Sequence, residues 1–409
     1  MGKKKTITEK ILIAFIFGIV FGIILNLFKE YSFTLYNIVT DNILSTGGEI
    51  FLRALKMLVV PIVFCSLICG ICNLKDFTSL GRISIKTISF YIFTTSVAIS
   101  IAILLASIIN PGESFKSQII TNEIEINKAP KISEILINII PLNPFESLVK
   151  GNMLQVIFFA LLIGSAISIS KSKGKSANDF FISLNEVILQ ALQIIMIFAP
   201  FGIFCLISNT FATQGLEMIL ELGKYFFTVV IVLFIHMFLI YGSLIKILSK
   251  ISPIYFFKNI KECIFFAFST SSSSATIPIT LRNVTENLKV KKKVASFTIP
   301  LGSTINMDGT AIMQGVATVF IANIYGQNLF LVDYLTIILT ATLASIGTAG
   351  VPGVGLIMLG MVLTQVGLPL EGIAIVMGVD RLLDMLRTSV NVSGDATISF
   401  LIDQSENNK

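Results

Sequence analysis

This sequence is short of charge. Asp, Glu, Lys and Arg make up 13% of its 409 residues, against roughly 25% in soluble globular domains. A conventional soluble core is thereby excluded, because the apolar residues that fill the difference come in long runs. Ile11 to Phe28 passes without a single charge, and so does the longer run from Thr87 to Asn110. The net charge of +6 is modest, and the basic residues sit in short loops between apolar runs, which argues against a nucleic-acid partner. Cysteine is sparse too. Of the five, Cys65, Cys69 and Cys72 share one helical face and read as small packing residues, with a metal or redox site as the alternative. No disulfide framework is implied. The one histidine, His236, lies inside an apolar run and reads as a packed core residue rather than a ligand.

What the chain has instead is room for about eight segments of the roughly 20 apolar residues that cross a bilayer as a helix. Lys3 to Lys5 precede the first apolar run and no small-residue cleavage site follows it, so the run reads as a retained span rather than a signal peptide. Met1-Gly2 with Thr6 also fits the loose myristoylation pattern, which adds little to a chain already anchored by a span. Lys and Arg favour cytoplasmic loops, and with Lys3 to Lys5 inside, the spans alternate consistently. The first covers about 9–28, and the second, about 47–73, returns to Lys75, Arg82 and Lys86. The third, about 87–109, leads out to a polar, proline-containing stretch over about 110–147. The fourth, about 152–170, returns to Lys171, Lys173 and Lys175. The fifth (about 181–208) and sixth (about 223–247) return again to Lys246, Lys250, Lys258 and Lys261.

The alternation then breaks. Residues 263–281 are apolar at both ends and polar in the middle, Phe268-Ser-Thr-Ser-Ser-Ser-Ser-Ala-Thr-Ile-Pro278, and Lys289 and Lys291 to Lys293 follow. With basic residues on both flanks the segment, about 262–288, enters and leaves from the cytoplasm as a re-entrant hairpin; the alternative is a serine-rich cytoplasmic loop. The seventh span, about 294–322, carries Gly302-Ser-Thr-Ile-Asn-Met-Asp-Gly-Thr310. Next, about 332–366 is apolar but punctuated by Gly347-Thr-Ala-Gly-Val-Pro-Gly-Val-Gly355. Glycines packed this densely around a proline cannot form one regular helix, so this is a second hairpin, entering from outside. The eighth span, about 370–401, ends the chain in the cytoplasm. Hairpin then helix occurs twice, from opposite sides: the inverted-repeat, broken-helix plan of secondary transporters, with the site at the midplane. The fold class is an all-α polytopic membrane protein of eight transmembrane helices plus two re-entrant helical hairpins. The echo of Asn306-Met-Asp-Gly-Thr310 in Asn391-Val-Ser-Gly-Asp-Ala-Thr397 is faint.

The eighth span holds the chemistry. Asp380, Asp384, Arg387, Thr388, Asn391 and Asp395 follow one another at helical spacing and fall within an arc of about 100° around the helix axis. These six make one polar stripe, whereas Arg381, beyond the edge of that arc and nearer the span's start, falls on a different face. An ionised group at bilayer centre costs about 2.5–3.5 kcal/mol on insertion scales, so three acids and an arginine need a compensating role. Arg387 suits a carboxylate through its two-pronged donor, and Asp384, one turn away, suits an ammonium; an acidic amino acid offers both. A buried Asp384–Arg387 salt bridge is the purely structural alternative. Asp308, Asp395 and Asn306 offer hard oxygen ligands for a cation. Asn306 and Asp308 are two apart and cannot share a helical face, so the helix should unwind around Met307-Asp308-Gly309.

These residues resemble the dicarboxylate/amino acid:cation symporters, the family of the archaeal aspartate transporters and animal glutamate transporters. The resemblance runs along nearly the whole chain. It rests on Lys56-Met-Leu-Val-Val-Pro-Ile-Val-Phe64, Asn143-Pro-Phe145, Leu154-Gln-Val-Ile-Phe-Phe159, Ser271-Ser-Ser-Ser-Ala-Thr276, Asn306-Met-Asp-Gly-Thr310, Gly347-Thr-Ala-Gly-Val-Pro-Gly353 and Asp384-Met-Leu-Arg-Thr-Ser-Val-Asn-Val-Ser-Gly-Asp395. It implies a homotrimer in the cell membrane with both termini cytoplasmic. Spans 1, 2, 4 and 5 (1–86 and 146–222) would form a trimerisation scaffold. Spans 3 and 6, both hairpins and spans 7 and 8 (87–110 and 223–401) would form a transport domain moving like an elevator, with the second hairpin as outer gate and 402–409 as tail. By motif, Arg387 would bind the substrate side-chain carboxylate and Asp384 its amino group. Thr310, Thr388, Asn391 and Ser273 would complete the site, with backbone from Ser271, Val351 and Gly355. Sodium would be carried at two to three sites. One would use Gly302, Asn306, Asn391 and Asp395; a second, backbone at Thr304, Ser345, Ile346 and Thr348; a third, Tyr91, Thr94, Thr95, Asn306 and Asp308.

Three features depart from that pattern. The archaeal members carry an arginine where Ser271 stands, and the animal members carry one at the position of Met385; this chain has neither. Gln314 stands where animal glutamate transporters have a proton-carrying glutamate, which argues against their proton and potassium coupling. The short tail after Asp395 suggests that the last helix ends early. The expected function is therefore sodium-coupled symport of L-aspartate or L-glutamate rather than an enzymatic activity. Neutral amino acids and C4-dicarboxylates are alternatives on the same fold. A channel is the rival class, though the polar residues cluster at one depth. A membrane-embedded hydrolase would need more than Ser273, Asp384 and a histidine with no serine elbow around it.

Overall fold

The computed structural model describes residues 7–29, 31–72, 77–115, 137, 140–214, 217–345, 350 and 353–407. Among them there is no strand. The main helices are α1 (Ile7–Phe28), α2 (Ser45–Cys72), α3 (Phe77–Ile109), α4 (Met153–Ile169), α5 (Lys175–Ile197), α6 (Ala199–Gln214) and α7 (Glu217–Phe234, continued by a π-helical turn Ile235–Tyr241 and by Gly242–Ser249). After these come α8 (Pro253–Thr270), α9 (Ser273–Arg282), α10 (Lys292–Ile305), α11 (Asp308–Ile324), α12 (Leu331–Ser345), α13 (Val354–Gln365) and α14 (Gly372–Asn407). The helical stretches Ile83–Ile109, Lys171–Ile197 and Leu220–Ser249 are long and apolar enough to cross a membrane by length and composition. Down one side of α7, Phe227, Ile231, Phe234 and Phe238 follow one another at helical spacing and are each about half exposed or more. Large contiguous apolar patches are rare on soluble proteins, and this stripe is the kind of face that lipid covers.

Helices α1, α2, α4, α5 and α6 pack on one another. Small residues make this possible without a hydrophobic drive between helices in lipid. Gly18 and Gly22 of α1, four apart, lie against Ile207 and Phe211 of α6. Asn26 and Tyr36 then both donate to the Ala212 carbonyl, at 2.7 and 3.1 Å. The remaining helices gather around α14, which touches α7, α8, α10, α11 and α13. Hairpin 2 (α12 and α13) also packs on α2 and α4.

Each segment expected as a hairpin holds two helices that pack against each other. In hairpin 1, α8 and α9 lie side by side, with Asn283 accepting from the Cys263 amide at 3.1 Å and donating to Glu262 at 3.0 Å, and Arg282 also pairing with Glu262. The seventh span breaks as expected: α10 stops at Ile305, Asn306 and Met307 leave helical geometry, and α11 restarts at Asp308.

Two expectations on helix ends need correction. The segment expected as one span over about 181–208 is two helices, α5 and α6, meeting at Phe198. Pro200 stands at the start of α6, where its missing amide costs nothing and its ring blocks a continuous helix from before. The last helix does not end early. α14 runs to Asn407, because its final turns are docked: Asp403 accepts from the Lys291 amide at 3.2 Å, and Lys86 reaches Ser405 and Glu406 at 3.0 and 2.7 Å.

Candidate substrate and cation site

Helix ends converge on the middle of α14. Hairpin 1 turns at Ser271, a non-glycine residue held at φ 50° with its hydroxyl buried and without a hydrogen-bond partner. Left-handed backbone is costly for a side chain with a Cβ and persists where surroundings impose it. Its neighbour Ser272 caps α9 by accepting from the Ala275 amide. The Ser272 hydroxyl also donates to the Gly350 carbonyl of hairpin 2 at 2.7 Å, and the Ser274 amide reaches the same carbonyl at 3.3 Å. The two hairpin tips are thus latched. Ser273 is buried beside Gly350.

Among the described residues, Arg387 is the one fully buried arginine. Its Nη2 donates to Asp384 at 2.8 Å, and its Nη1 lies 2.9 Å from Asp380 without the alignment of a hydrogen bond. Nε and Nη1 have no hydrogen-bond partner. Gly355, at the start of α13, faces the guanidinium so closely that a Cβ there would stand 3.3 Å from both Nη1 and Thr310 Cγ2. Thr388 turns its hydroxyl back to the Asp384 carbonyl at 2.7 Å. The structure brings Arg387, Asp384 and Gly355 together, with Thr310 beside Gly355 and Thr388 one turn on from Asp384, and it realises the Asp384–Arg387 ion pair. The assignment of Arg381 to a different face needs correction. Its Nη1 lies 3.3 Å from the other Asp384 oxygen, because residues three apart on a helix are neighbours and an arginine spans the angular gap.

The cation-binding candidates surround the break between α10 and α11. Asn306 donates through Nδ2 to the Asn391 carbonyl and to Asp395, both at 2.9 Å, leaving its Oδ1 buried without a partner. Gly302 faces the Asp395 carboxylate and the Tyr91 hydroxyl, with no room for a side chain. Asn391 accepts from the Gly309 amide at 2.7 Å. Asp308 takes the Thr95 hydroxyl at 2.5 Å on one oxygen. Thr94 and Tyr91 are buried nearby and bond to the Tyr91 and Thr298 carbonyls. Thr304 and Ser345 bond back into their own helices, to Leu301 and Thr342. Ile346, Thr348 and Val351 lie outside the described residues.

One contribution was missed in the sequence. The other Asp308 oxygen is met by the Tyr241 hydroxyl at 2.7 Å and by His236 Nε2 at 2.9 Å. His236 is packed in the core as expected, yet it is also part of the Asp308 cluster. The π-helical turn Ile235–Tyr241 carries both groups, and such turns often occur at functional sites. Residues five apart do not stack on a regular helix, so only their shared position in an apolar run could have hinted at it.

The sodium:dicarboxylate symporter family matches the chain over residues 7–405. The chain is 35% identical over 370 residues to the proton/sodium-glutamate symport protein of Geobacillus stearothermophilus, covering 88% of this chain and 87% of that one. It is 33% identical over 405 residues to the proton/glutamate-aspartate symporter of Escherichia coli, covering 95% and 91%. It is 33% identical over 420 residues to human excitatory amino acid transporter 2, covering 88% and 73%. A latched pair of hairpin tips, a buried arginine with idle donors and a broken helix lined by acids thus stand in a chain that belongs to the sodium:dicarboxylate symporter family, whose members are multi-pass membrane transporters rather than enzymes.

Proposed function

We propose that this chain is a sodium-coupled symporter of acidic amino acids, L-aspartate or L-glutamate. One observation carries the substrate class: Arg387 is fully buried, and two of its nitrogens lack hydrogen-bond partners. A buried guanidinium without partners is costly, and a substrate carboxylate supplies the bidentate match. On binding, the carboxylate takes the idle donors and draws Arg387 from Asp384, whose freed oxygen receives the ammonium group. Gly355 borders the same guanidinium, and Thr310 lies beside Gly355. The glutamate and aspartate in the names of the bacterial relatives support this reading.

Sodium enters through the second cluster. The orphaned Asn306 Oδ1 beside Asp395, and Asp308 beside Thr95, offer hard oxygens in two places, in keeping with two to three sites. Gln314, buried on α11, leaves no acid there to carry a proton. The cycle is an elevator movement of α3, α7 to α14 against a scaffold of α1, α2 and α4 to α6, assembled as a homotrimer in the cell membrane with both termini cytoplasmic. The grouping of helices around α14 on one hand and α2 on the other supports that division. Uptake of radiolabelled L-aspartate into proteoliposomes tests the function. An inward sodium gradient should drive accumulation; uptake that ignores sodium and follows a pH gradient contradicts it. A cysteine at Lys292 should react with impermeant reagent only from the cytoplasmic side, and external labelling would overturn the topology of hairpin 1.

A further inference from the structure

We infer that Arg381 is a positioning residue of the substrate site, acting through Asp384 to set the site for a substrate of net charge −1; this rests on the acidic-substrate reading above. The geometry is a chain of alternating charges along two turns of α14. Arg381 Nη1 holds one Asp384 oxygen at 3.3 Å, Arg387 Nη2 holds the other at 2.8 Å, and Arg387 Nη1 lies 2.9 Å from Asp380. Two arginines and two acids cancel. The outer end of the chain is the wetter one: the Arg381 side chain is 20% exposed against 1% for Arg387.

The consequence appears when a substrate carboxylate claims Arg387. Asp384 then loses its closer partner. With Arg381 still on its far oxygen, the carboxylate keeps one cationic partner and its orientation, with the oxygen vacated by Arg387 turned toward the incoming ammonium. Without Arg381, the same two turns would carry two acids against one arginine. An acidic amino acid brings one ammonium and two carboxylates, so its surplus negative charge would then meet a site that is already negative. Arg381 offsets that surplus. Its contribution is electrostatic, so a lysine in its place should keep most of it.

Binding of L-aspartate to purified full-length protein at saturating sodium tests this, with wild type, R381Q and R381K compared. Thermal stabilisation by sodium alone, without amino acid, is measured on each in parallel. R381Q should weaken aspartate about tenfold, the scale of one charge-assisted hydrogen bond. R381K should stay within about threefold of wild type, and the sodium shift should be unchanged in both variants. The proposal is overturned if R381Q binds aspartate like wild type. R381K binding as weakly as R381Q would also overturn it, since charge would then not be the cause. So would loss of the sodium shift in R381Q, which would mark a general structural role. A wild type that ignores aspartate sinks the acidic-substrate reading and this proposal together, whereas failure in the variants alone leaves that reading standing.

Discussion

Two buried polar regions lie side by side on α14 and balance their charge differently. Around Arg387, two acids and two arginines are paired among themselves. Around the helix break, Asp308 and Asp395 meet hydroxyls, an amide and the His236 ring, and among the described residues no lysine or arginine pairs with either. Removing charges from water is expensive, and mutual attraction offsets the cost only with good geometry. The first region balances its charge internally but leaves two Arg387 nitrogens without hydrogen-bond partners, and on the proposed reading it trades partners with a zwitterion bearing a second carboxylate. The second does not, and on the proposed reading a small cation completes it. Acidic residues alone do not separate the two roles; the presence or absence of a buried arginine does.

The largest effect should come from breaking the self-neutral region. Arg387→Ala removes the carboxylate partner and leaves Asp380 and Asp384 against a single, partly exposed arginine. Aspartate affinity should fall at least about tenfold, and binding of a neutral amino acid far less. Calorimetric titration of both ligands distinguishes this from general damage, and unchanged aspartate binding would remove the acidic-substrate assignment.

Next comes the cation region. Asp395→Asn keeps the shape and deletes the charge. It should raise the sodium concentration for half-maximal binding by about tenfold, with aspartate affinity at saturating sodium altered much less. A variant that loses aspartate and keeps its sodium dependence would reverse the assignment of the two regions.

A smaller effect is expected at His236. Replacing it by Ala strips one partner from buried Asp308 and should cost about 1–3 kcal/mol of stability, read as a lowered melting temperature. His236→Gln, which can still donate, should recover most of the loss. The smallest effect on binding is expected for Ser272→Ala. It loses one hydrogen bond to Gly350 and the cap of α9, about 0.5–1.5 kcal/mol each, and should loosen the hairpin latch with at most about a tenfold weaker affinity.

The sequence made these regions legible to unequal degrees. The stripe on α14 could be read because a regular helix returns to the same face roughly every 3.6 residues, and the break at Asn306 because two needed residues stood two apart. Hairpin 1 announced itself through polar serines between apolar arms. The break at Phe198 did not, since hydropathy passes through it unchanged; Pro200 was the available signal. The full length of α14 depends on Lys86 and Lys291, more than a hundred residues away in the chain. The Arg381–Asp384 pair was missed by treating a helix face as a fixed angle, when a long side chain sweeps across neighbouring ones. The His236–Tyr241 pair depends on a π-helical turn, which no regular periodicity reveals.

The most direct test of the division between a self-neutral substrate region and a cation-requiring acidic one is a titration of L-aspartate into the purified protein in sodium chloride and in choline chloride. Tight binding in sodium and an affinity at least about tenfold weaker in choline is the expected result. Equal affinity in the two salts would contradict it, because the acids at the helix break would then be complete without a cation.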